Sequence, residues 1–377
     1  MAQSSRIHSL DRLRAFVVIL VIVLHTSVTY MVGAPDWWYV LEQERSLFFT
    51  ALALLIDVPI MPALFFLAGY FGLPSLVKRG PKLFLRDKLV RIGIPWILGV
   101  LFIAPLVTYL TYLSRGIPVS FLKFWTSDFW GDMYQQAVYW YLGVLLFLFL
   151  IVAVFYGPEE RYRTATQRPS VPPWTLLSGF VAVTTAGFLF MNQYFPLDSW
   201  VRLGHVLVVQ PLRVPLYLAY FALGVYAYQH GWFTSESYQP SLVTWGLMCA
   251  TSGVLYCSYR LTYPPGALTS IGPQTANAAL FNSFCFSSLM AGLALFRRAG
   301  PIRRSVWTSL AQNSYGIYYV HPMFVYPLTY LFLSLSLPIP IKAAAVIVLG
   351  TLLSWACSAL VLQKAPILRT MFARSGT

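Results

Sequence analysis

The chain has 377 residues, of which 58% are hydrophobic and only 10% are charged, and its formal net charge is +14. Its mean hydropathy of +0.65 excludes an ordinary soluble domain, which does not need so much apolar surface. A large positive charge can indicate nucleic-acid binding, but here the basic residues are placed as membrane topology requires. The sequence therefore predicts an integral protein of the lipid bilayer with no nucleic-acid partner.

Ten apolar segments are long enough to cross a bilayer, which takes roughly 20 residues per helix. In chain order they are 14–32, 47–71, 91–112, 137–156, 174–191, 206–228, 241–258, 275–296, 308–333 and 342–362. The segments between them are too short for a separate globular domain, and the chain has no evident internal repeat. We therefore predict an all-α, polytopic membrane protein with about ten transmembrane helices and a single domain over residues 1–377.

The basic residues are distributed unevenly between the two sides of the predicted bundle. If the N-terminus lies inside, nineteen of the 26 Lys and Arg residues are cytoplasmic and six are outside, and Arg213 lies inside or just entering a span. Cytoplasmic loops of membrane proteins carry such an excess of Lys and Arg. The sequence therefore predicts that both termini are cytoplasmic, and we expect the protein in the cell (inner) membrane.

The first span carries two ionisable residues, Arg14 and His25. Eleven residues make three helical turns and about 20°, so both side chains share one face and lie about 16 Å apart. Ionisable groups inside a span are costly and usually functional. The alternative is an Arg that reaches the headgroups and a His satisfied by a neighbouring helix. The shared face favours a functional pair.

Asp57 lies in the second span, ten residues or about 15 Å below its outer start. This is a depth similar to that of His25. A carboxylate beside a histidine fixes its tautomer and raises its basicity, which suits a general base. The sequence therefore predicts that Asp57 orients His25. The alternative is a buried, protonated Asp57 that caps the helix break at Pro59.

A dense group of cations opens the third span at the predicted cytoplasmic side. Lys88 and Arg91 are three residues apart and are therefore neighbours on one helical face, with Arg86 just before them. Such cations suit the phosphates of a soluble anionic cofactor. The alternative is ordinary positive flanking of a membrane span.

The ninth span contains His321 directly before Pro322. The proline should kink this helix and free backbone carbonyls that need local partners. His321 could simply be the group that repairs the kink. Its polar companions Tyr315 and Tyr319 favour a helix that lines a wet cavity instead.

Aromatic residues are concentrated in the predicted outer loops, including Trp37, Trp38, Trp130 and Trp200. They are typical of the aromatic belt that membrane proteins place at the headgroups. A second interpretation is open, because aromatic faces also suit the apolar faces of sugars.

Several motifs follow one another along nearly the whole chain: Leu10, Asp11, Arg14, Ala15 and His25, the run 61–71, Lys88 with the run 91–95, the run 139–142, and Ser314, Tyr315, Ile317, Tyr318 and His321. In this order they resemble the motifs of the acyltransferase-three family of integral membrane acyltransferases. Within the family the chain most resembles the branch that succinylates periplasmic glucans. Two departures are Ala68, where the family has Ser, and Lys88, where it has Arg.

The resemblance implies an O-acyltransferase that moves an acyl group, of the acetyl or succinyl class, from cytoplasmic acyl-CoA to a hydroxyl of an outer-face acceptor, expected to be a glycan. It implies no metal. The implied donor-phosphate residues are Arg86, Lys88 and Arg91, the implied catalytic residues are Arg14, His25, Asp57 and His321, and the implied substrate contacts are Trp140, Tyr315 and Tyr319. His25 would act as a general base or briefly carry the acyl group.

A transporter is the alternative from another functional class. His25, Asp57 and His321 would then form the proton relay of a secondary transporter for an organic anion or a lipid-linked sugar. Such transporters are often built from inverted repeats, and the chain has none that is evident.

Overall fold

The computed structural model describes residues 8–156, 170–233, 238–298 and 306–372, and it is almost entirely helical. The helices are α1 (His8–Tyr30), α2 (Leu47–Arg79), α3 (Pro81–Ser114), α4 (Phe121–Thr126), α5 (Ala137–Phe155), α6 (Trp174–Asn192), α7 (Val214–Gln229), α8 (Leu242–Thr262), α9 (Ile271–Arg298), α10 (Val306–Val320), α11 (Pro322–Leu333), α12 (Ile339–Leu362) and α13 (Pro366–Phe372). One antiparallel hairpin pairs β1 (Val201–Leu203) with β2 (Leu207–Val209). The predicted all-α class is confirmed.

Seven of these helices, among the residues that the structure describes, are long and apolar enough to cross a membrane: α1, α2, α3, α5, α6, α9 and α12. The three other predicted spans also contain helices. Helix α7 has only 16 residues, α8 is less apolar, and the ninth span is divided at His321 into α10 and α11. The protein is therefore a multi-pass membrane protein, while the count of ten spans stays a prediction.

The long helices are joined alternately at the two ends of the bundle. The loop-rich end holds the connections 31–46, 115–136 and 193–210 together with the hairpin. The arginine-rich end holds the predicted cytoplasmic cations of α2 and α3, including Arg79, Arg86 and Arg91. Of the full predicted cytoplasmic set, Arg6, Arg161, Arg163, Arg168, Arg303, Arg304 and Arg374 lie outside the described residues, as do the first and last residues of the predicted single domain.

Helix α2 packs closely against α7 because each helix presents a glycine to the other. A Cβ on Gly69 would lie 2.0 Å from the backbone oxygen of Phe221, and a Cβ on Gly224 would lie 2.0 Å from that of Phe66. Small residues let helix backbones approach in this way where lipid provides no hydrophobic drive between helices. This contact fixes α2, which contributes groups to both sites described below.

We expect Gly224→Ala to destabilise the protein, because its added methyl group must push α2 and α7 apart. Overpacking of this kind costs about 1–3 kcal/mol or more. Thermal unfolding of the detergent-solubilised protein measures the effect. Gly179→Ala is the matched control, since a Cβ there meets nothing within 4 Å. Equal unfolding temperatures for the two variants would contradict this account of the contact.

Candidate active site

A cavity of about 760 Å³ opens within the loop-rich end of the bundle. Four tryptophans line it, namely Trp37, Trp38, Trp140 and Trp200. Trp200 contacts two of the others, with its ring centroid 5.5 Å from that of Trp140 and 6.5 Å from that of Trp37. Three of the four come from loops, so these aromatic residues form a cavity wall rather than only a belt at the headgroups. Trp140, which the sequence predicts as a substrate contact, is among the residues that line this cavity.

His25 lines this cavity and is partly accessible, whereas His321 is fully buried behind it. The two imidazoles are stacked with ring centroids 5.1 Å apart. Nδ1 of His25 lies 2.9 Å from Nε2 of His321. The first and ninth predicted spans thus place the two predicted histidines in direct contact.

The proline after His321 determines which of these nitrogens carries a proton. Pro322 has no N–H to donate to the carbonyl of Tyr318, four residues earlier. Nδ1 of His321 lies 2.7 Å from that carbonyl oxygen. A carbonyl only accepts, so Nδ1 of His321 must be the donor, and in the neutral ring Nε2 is then the acceptor.

This assignment extends to His25. Since Nε2 of His321 accepts, Nδ1 of His25 donates to it, and the neutral imidazole of His25 therefore carries its lone pair on Nε2. His25 is thereby held in the tautomer that a general base needs. The kink repair and the functional interpretation of His321 are compatible, because each uses a different nitrogen of the ring.

The predicted contact between Asp57 and His25 is wrong. The Asp57 carboxylate instead forms an ion pair with Arg213, while Nδ1 of His25 is bonded to His321. Arg213 is buried and needs an opposite charge nearby, and this need outweighs orienting a neutral imidazole. Asp57 still lines the same cavity as His25.

Sequence reasoning missed the partners of Asp57. Arg213 is the last residue of a short 3₁₀ turn, Pro211–Arg213, directly before α7. From chain position alone it could lie either in the loop or in the span. Arg260 and Asp198 also line the cavity. Their contacts join α2, α7, α8 and a loop, so no local spacing could indicate them.

Tyr39 belongs to the loop wall of the cavity, between α1 and α2. Burial raises the pKa of its phenol well above the ordinary value of 10. The hydroxyl is therefore neutral and donates to Oε1 of Gln135 at 3.1 Å. This bond ties the 31–46 loop to the 115–136 loop across the cavity.

Arg14 lies three turns below His25 on α1, toward the arginine-rich end. Its Nε donates to Oγ of Ser314 at 3.1 Å, and its Nη2 pairs with Oδ1 of Asp11 at 2.9 Å. Both partners belong to the motifs that the sequence singles out. Arg14 thus joins α1 to α10 between the cavity and the arginine-rich end.

A second pocket, of about 470 Å³, lies at the arginine-rich end of α2 and α3. Arg79, Arg86 and Arg91 line it with Asp87 and Thr370. The Asp87 carboxylate lies 2.8 Å from Nη1 of Arg79 and 3.1 Å from Nε of Arg91, so one acid orients two guanidinium groups. The pocket presents a net positive charge that suits phosphate groups.

Lys88 does not line this pocket, although the sequence predicts it as a phosphate ligand. Its ammonium lies over two aromatic rings instead, 4.4 Å from the ring centre of Phe149 and 5.1 Å from that of Phe84. This cation–π contact stabilises the positive charge within the helix packing. Arg79, which the sequence analysis did not predict as a phosphate ligand, lines the pocket together with Arg86 and Arg91.

Tyr315 and Tyr319 are not among the residues that line either pocket. The hydroxyl of Tyr315 donates to the backbone oxygen of Arg91 at 2.6 Å, in a π-helical segment of α3, Leu89–Gly93. Both tyrosine rings pack against Phe372 of α13. The structure therefore corrects their predicted substrate contact: Tyr315 supports the arginine-bearing segment, and Tyr318, from the same helix, lines the cavity.

No cluster of three or more His, Cys, Asp or Glu side chains that would suit a metal ion occurs within the described ranges. The arrangement consists of a histidine pair, with His321 buried and His25 partly accessible, at one cavity and an arginine pocket at the opposite end. These features define a multi-pass membrane protein with a candidate general base inside the bundle.

The profile of an acyltransferase domain matches residues 7–359 of the chain. The chain therefore belongs to this acyltransferase family, as the sequence motifs predict. It is also similar to the glucans biosynthesis protein C of Salmonella typhi and that of Salmonella typhimurium, at 23% identity over 248 residues. The similarity covers 60% of this chain and 59% of each relative. No solved structure matches the chain significantly.

Proposed function

We propose that the protein is a membrane O-acyltransferase that moves an acyl group from acyl-CoA to a hydroxyl of a glycan acceptor. The observation that carries this proposal is the bonded series from the Tyr318 carbonyl through His321 to His25, which leaves Nε2 of His25 as a base beside an open cavity. Membership of the acyltransferase family supports an enzyme rather than a transporter.

In the proposed reaction, the acceptor hydroxyl attacks the thioester carbonyl carbon while Nε2 of His25 removes the hydroxyl proton. The imidazolium that forms keeps its Nδ1–H bond to His321, whose buried Nε2 accepts it. The C–S bond then breaks, and the departing sulfur of CoA takes the proton from His25. Positioning and one base suffice for this exchange of a thioester for an oxygen ester, so the proposal needs no metal.

The donor is proposed to bind at the arginine-rich end, with its phosphates between Arg79, Arg86 and Arg91. The charge bias of the loops supports a cytoplasmic location for this end, both termini cytoplasmic, and the inner membrane as the site of action. Arg14, between the two pockets, would guide the acyl arm toward His25. The acceptor is proposed to enter from the outer, loop-rich end, where the tryptophan wall suits sugar faces.

A transfer assay tests the proposal directly. Full-length protein in lipid nanodiscs is given acetyl-CoA or succinyl-CoA with a labelled acyl group, together with a glucose oligosaccharide. We expect the label to appear in the oligosaccharide as an alkali-labile ester, with release of free CoA thiol in equal amount. Binding of both molecules without ester formation would contradict the proposed reaction.

Replacing Arg91 or Arg79 with glutamine should weaken acyl-CoA binding about tenfold or more, because each variant removes a charge-assisted contact worth about 1.5–3 kcal/mol. Calorimetric titration with CoA measures the change. Lys82→Gln is the control, since it removes an exposed positive charge that does not line the pocket.

The Lys88→Gln variant tests whether Lys88 binds the donor phosphates, as the sequence predicts, or lies outside the pocket, as in the structure. Its ammonium is directed at aromatic rings rather than into the pocket, so we expect CoA affinity to stay within about twofold. A loss for Lys88→Gln as large as that for Arg91→Gln would return Lys88 to the donor site.

A further inference from the structure

A group of buried cationic and polar side chains lines the same cavity as His25 but is not part of the histidine pair. Arg213 and Arg260 are only 7% and 8% exposed, and Asn277 is 1% exposed. All three line the cavity, together with the acids Asp57 and Asp198. Buried guanidinium groups are costly unless anions and hydrogen-bond acceptors surround them.

The two arginines are not equally satisfied. Arg213 has a close ion pair with Asp57 and stacks over the ring of Phe281. Arg260 has only a distant ion contact, 3.9 Å from Asp198, and its Nε is buried without a hydrogen-bond partner among the described residues. Arg260 therefore lines the cavity with a guanidinium group whose hydrogen-bonding capacity is not fully used.

Asn277 points to the same conclusion independently. Both polar atoms of its side-chain amide are buried, and neither has a partner within the described part of the chain. Leaving such groups buried and unpaired is unfavourable. An amide at this position can donate to an oxyanion that the neighbouring guanidinium groups bind.

Asp198 makes weaker contacts with the arginines than Asp57, the other acid in the group, does. Its carboxylate lies 3.8 Å from Arg213 and 3.9 Å from Arg260, beyond hydrogen-bond distance, and its side chain is 56% exposed. It belongs to a loop and has a left-handed backbone with φ of 62°. The Asp198 carboxylate is therefore held only loosely beside the two guanidinium groups.

We propose that Arg260, Arg213 and Asn277 form a subsite that binds a carboxylate or phosphate group carried by the acceptor, and that Asp198 yields its place to that group. This inference rests on the proposed function, because it assumes that the acceptor enters the cavity. The subsite lies far from the donor phosphates: Asp57 is 22 residues before Arg79 on α2, about 33 Å by helical rise. The anion therefore arrives with the acceptor at the loop-rich end.

Tryptophan fluorescence of the full-length protein tests the subsite, since four tryptophans line the cavity. The probes are a neutral glucose tetrasaccharide, the same sugar with one terminal glucuronate, and the same sugar with a terminal 6-phosphate. We expect at least one acidic probe to bind about tenfold more tightly than the neutral one, and the better of the two identifies the anion. Equal affinities for all three probes would overturn the proposal.

Two variants probe the residues themselves. Arg260→Gln should abolish the preference for the acidic probe, and Asp198→Asn should increase it several-fold because a competing carboxylate is lost. Arg45→Gln, an exposed outer arginine that does not line the cavity, should leave the preference unchanged. Should Arg260→Gln fail to fold, Asp198→Asn still decides: a preference that does not rise contradicts the proposal.

The transfer assay separates this inference from the proposed function. Ester formation on the neutral sugar without any preference for acidic probes refutes the subsite alone. A normal preference for acidic probes without ester formation on any of the three sugars refutes the proposed function and leaves the anion site supported.

Discussion

Replacing His25 with alanine should reduce acyl transfer about a thousandfold while the protein remains folded. General base catalysis by a positioned side chain contributes about 10²–10⁴ to the rate. His25 is the residue of the histidine pair that is partly accessible from the cavity, and its Nδ1 is occupied by His321. Its Nε2 is therefore the atom that can take the acceptor proton, and no other described ring repeats this arrangement beside the cavity.

The variant should keep its affinity for acyl-CoA, because the donor's phosphates are proposed to bind at the other end of the bundle. Steady-state transfer and calorimetric titration with CoA measure the two properties separately. Ser27→Ala is a suitable control, since its hydroxyl donates only to the backbone of α1, at Val23. Substantial transfer by a well-folded His25→Ala protein would contradict the proposed role of His25 as the general base.

The sequence alone predicts the fold class and both histidines of the site, but not the contact between them. Spacing within one helix places Arg14 and His25 on a common face, and this depends only on helical geometry. The Pro322 position indicates that a carbonyl is freed near His321. The tautomer of His25 also requires that α1 meets the junction of α10 and α11 at this depth, and chain spacing carries no information about such a contact.

The wrong assignments share one physical cause. Asp57 and Lys88 each have the residue type and the depth along the helix that their predicted roles need. Each side chain, however, points toward a different partner. Asp57 turns to Arg213, and Lys88 turns to Phe84 and Phe149. Depth along a helix follows from residue number, whereas direction toward a partner follows from the packing of helices that are distant in sequence. The acidic partner of a buried arginine is thus predictable in kind but not in identity.

The two pockets also differ in how much of them the sequence indicates. The arginine pocket is formed by α2, α3 and α13, and most of its cations lie in one run that the sequence marks clearly. Arg79, at the end of α2, is close to this run in sequence but is not one of the predicted donor-phosphate residues. The cavity at the loop-rich end gathers side chains from many helices and loops. The sequence marks its tryptophans, His25 and Asp57, but not Arg213, Arg260, Asp198 or Asn277 as members of one site.

Replacing His321 should impair turnover rather than binding, since His321 is proposed to position His25 and is itself fully buried. His321→Leu removes the acceptor of the His25 Nδ1–H, so that His25 no longer prefers the tautomer with a free Nε2. Loss of the correct tautomer and orientation costs a general base much of its effect, here about a hundredfold in kcat. The KM for acyl-CoA should change little.

The comparison of His321→Leu with His321→Gln makes this prediction specific. A glutamine can present an amide oxygen to Nδ1 of His25 and restore the tautomer, whereas leucine cannot, so we expect glutamine to recover about tenfold of the lost kcat. Both variants lose the bond to the Tyr318 carbonyl in its present form, and thermal unfolding reports that shared cost. If His321 were itself the base, both variants would be equally inactive and His25→Ala would remain active. That pattern would exchange the roles of the two histidines.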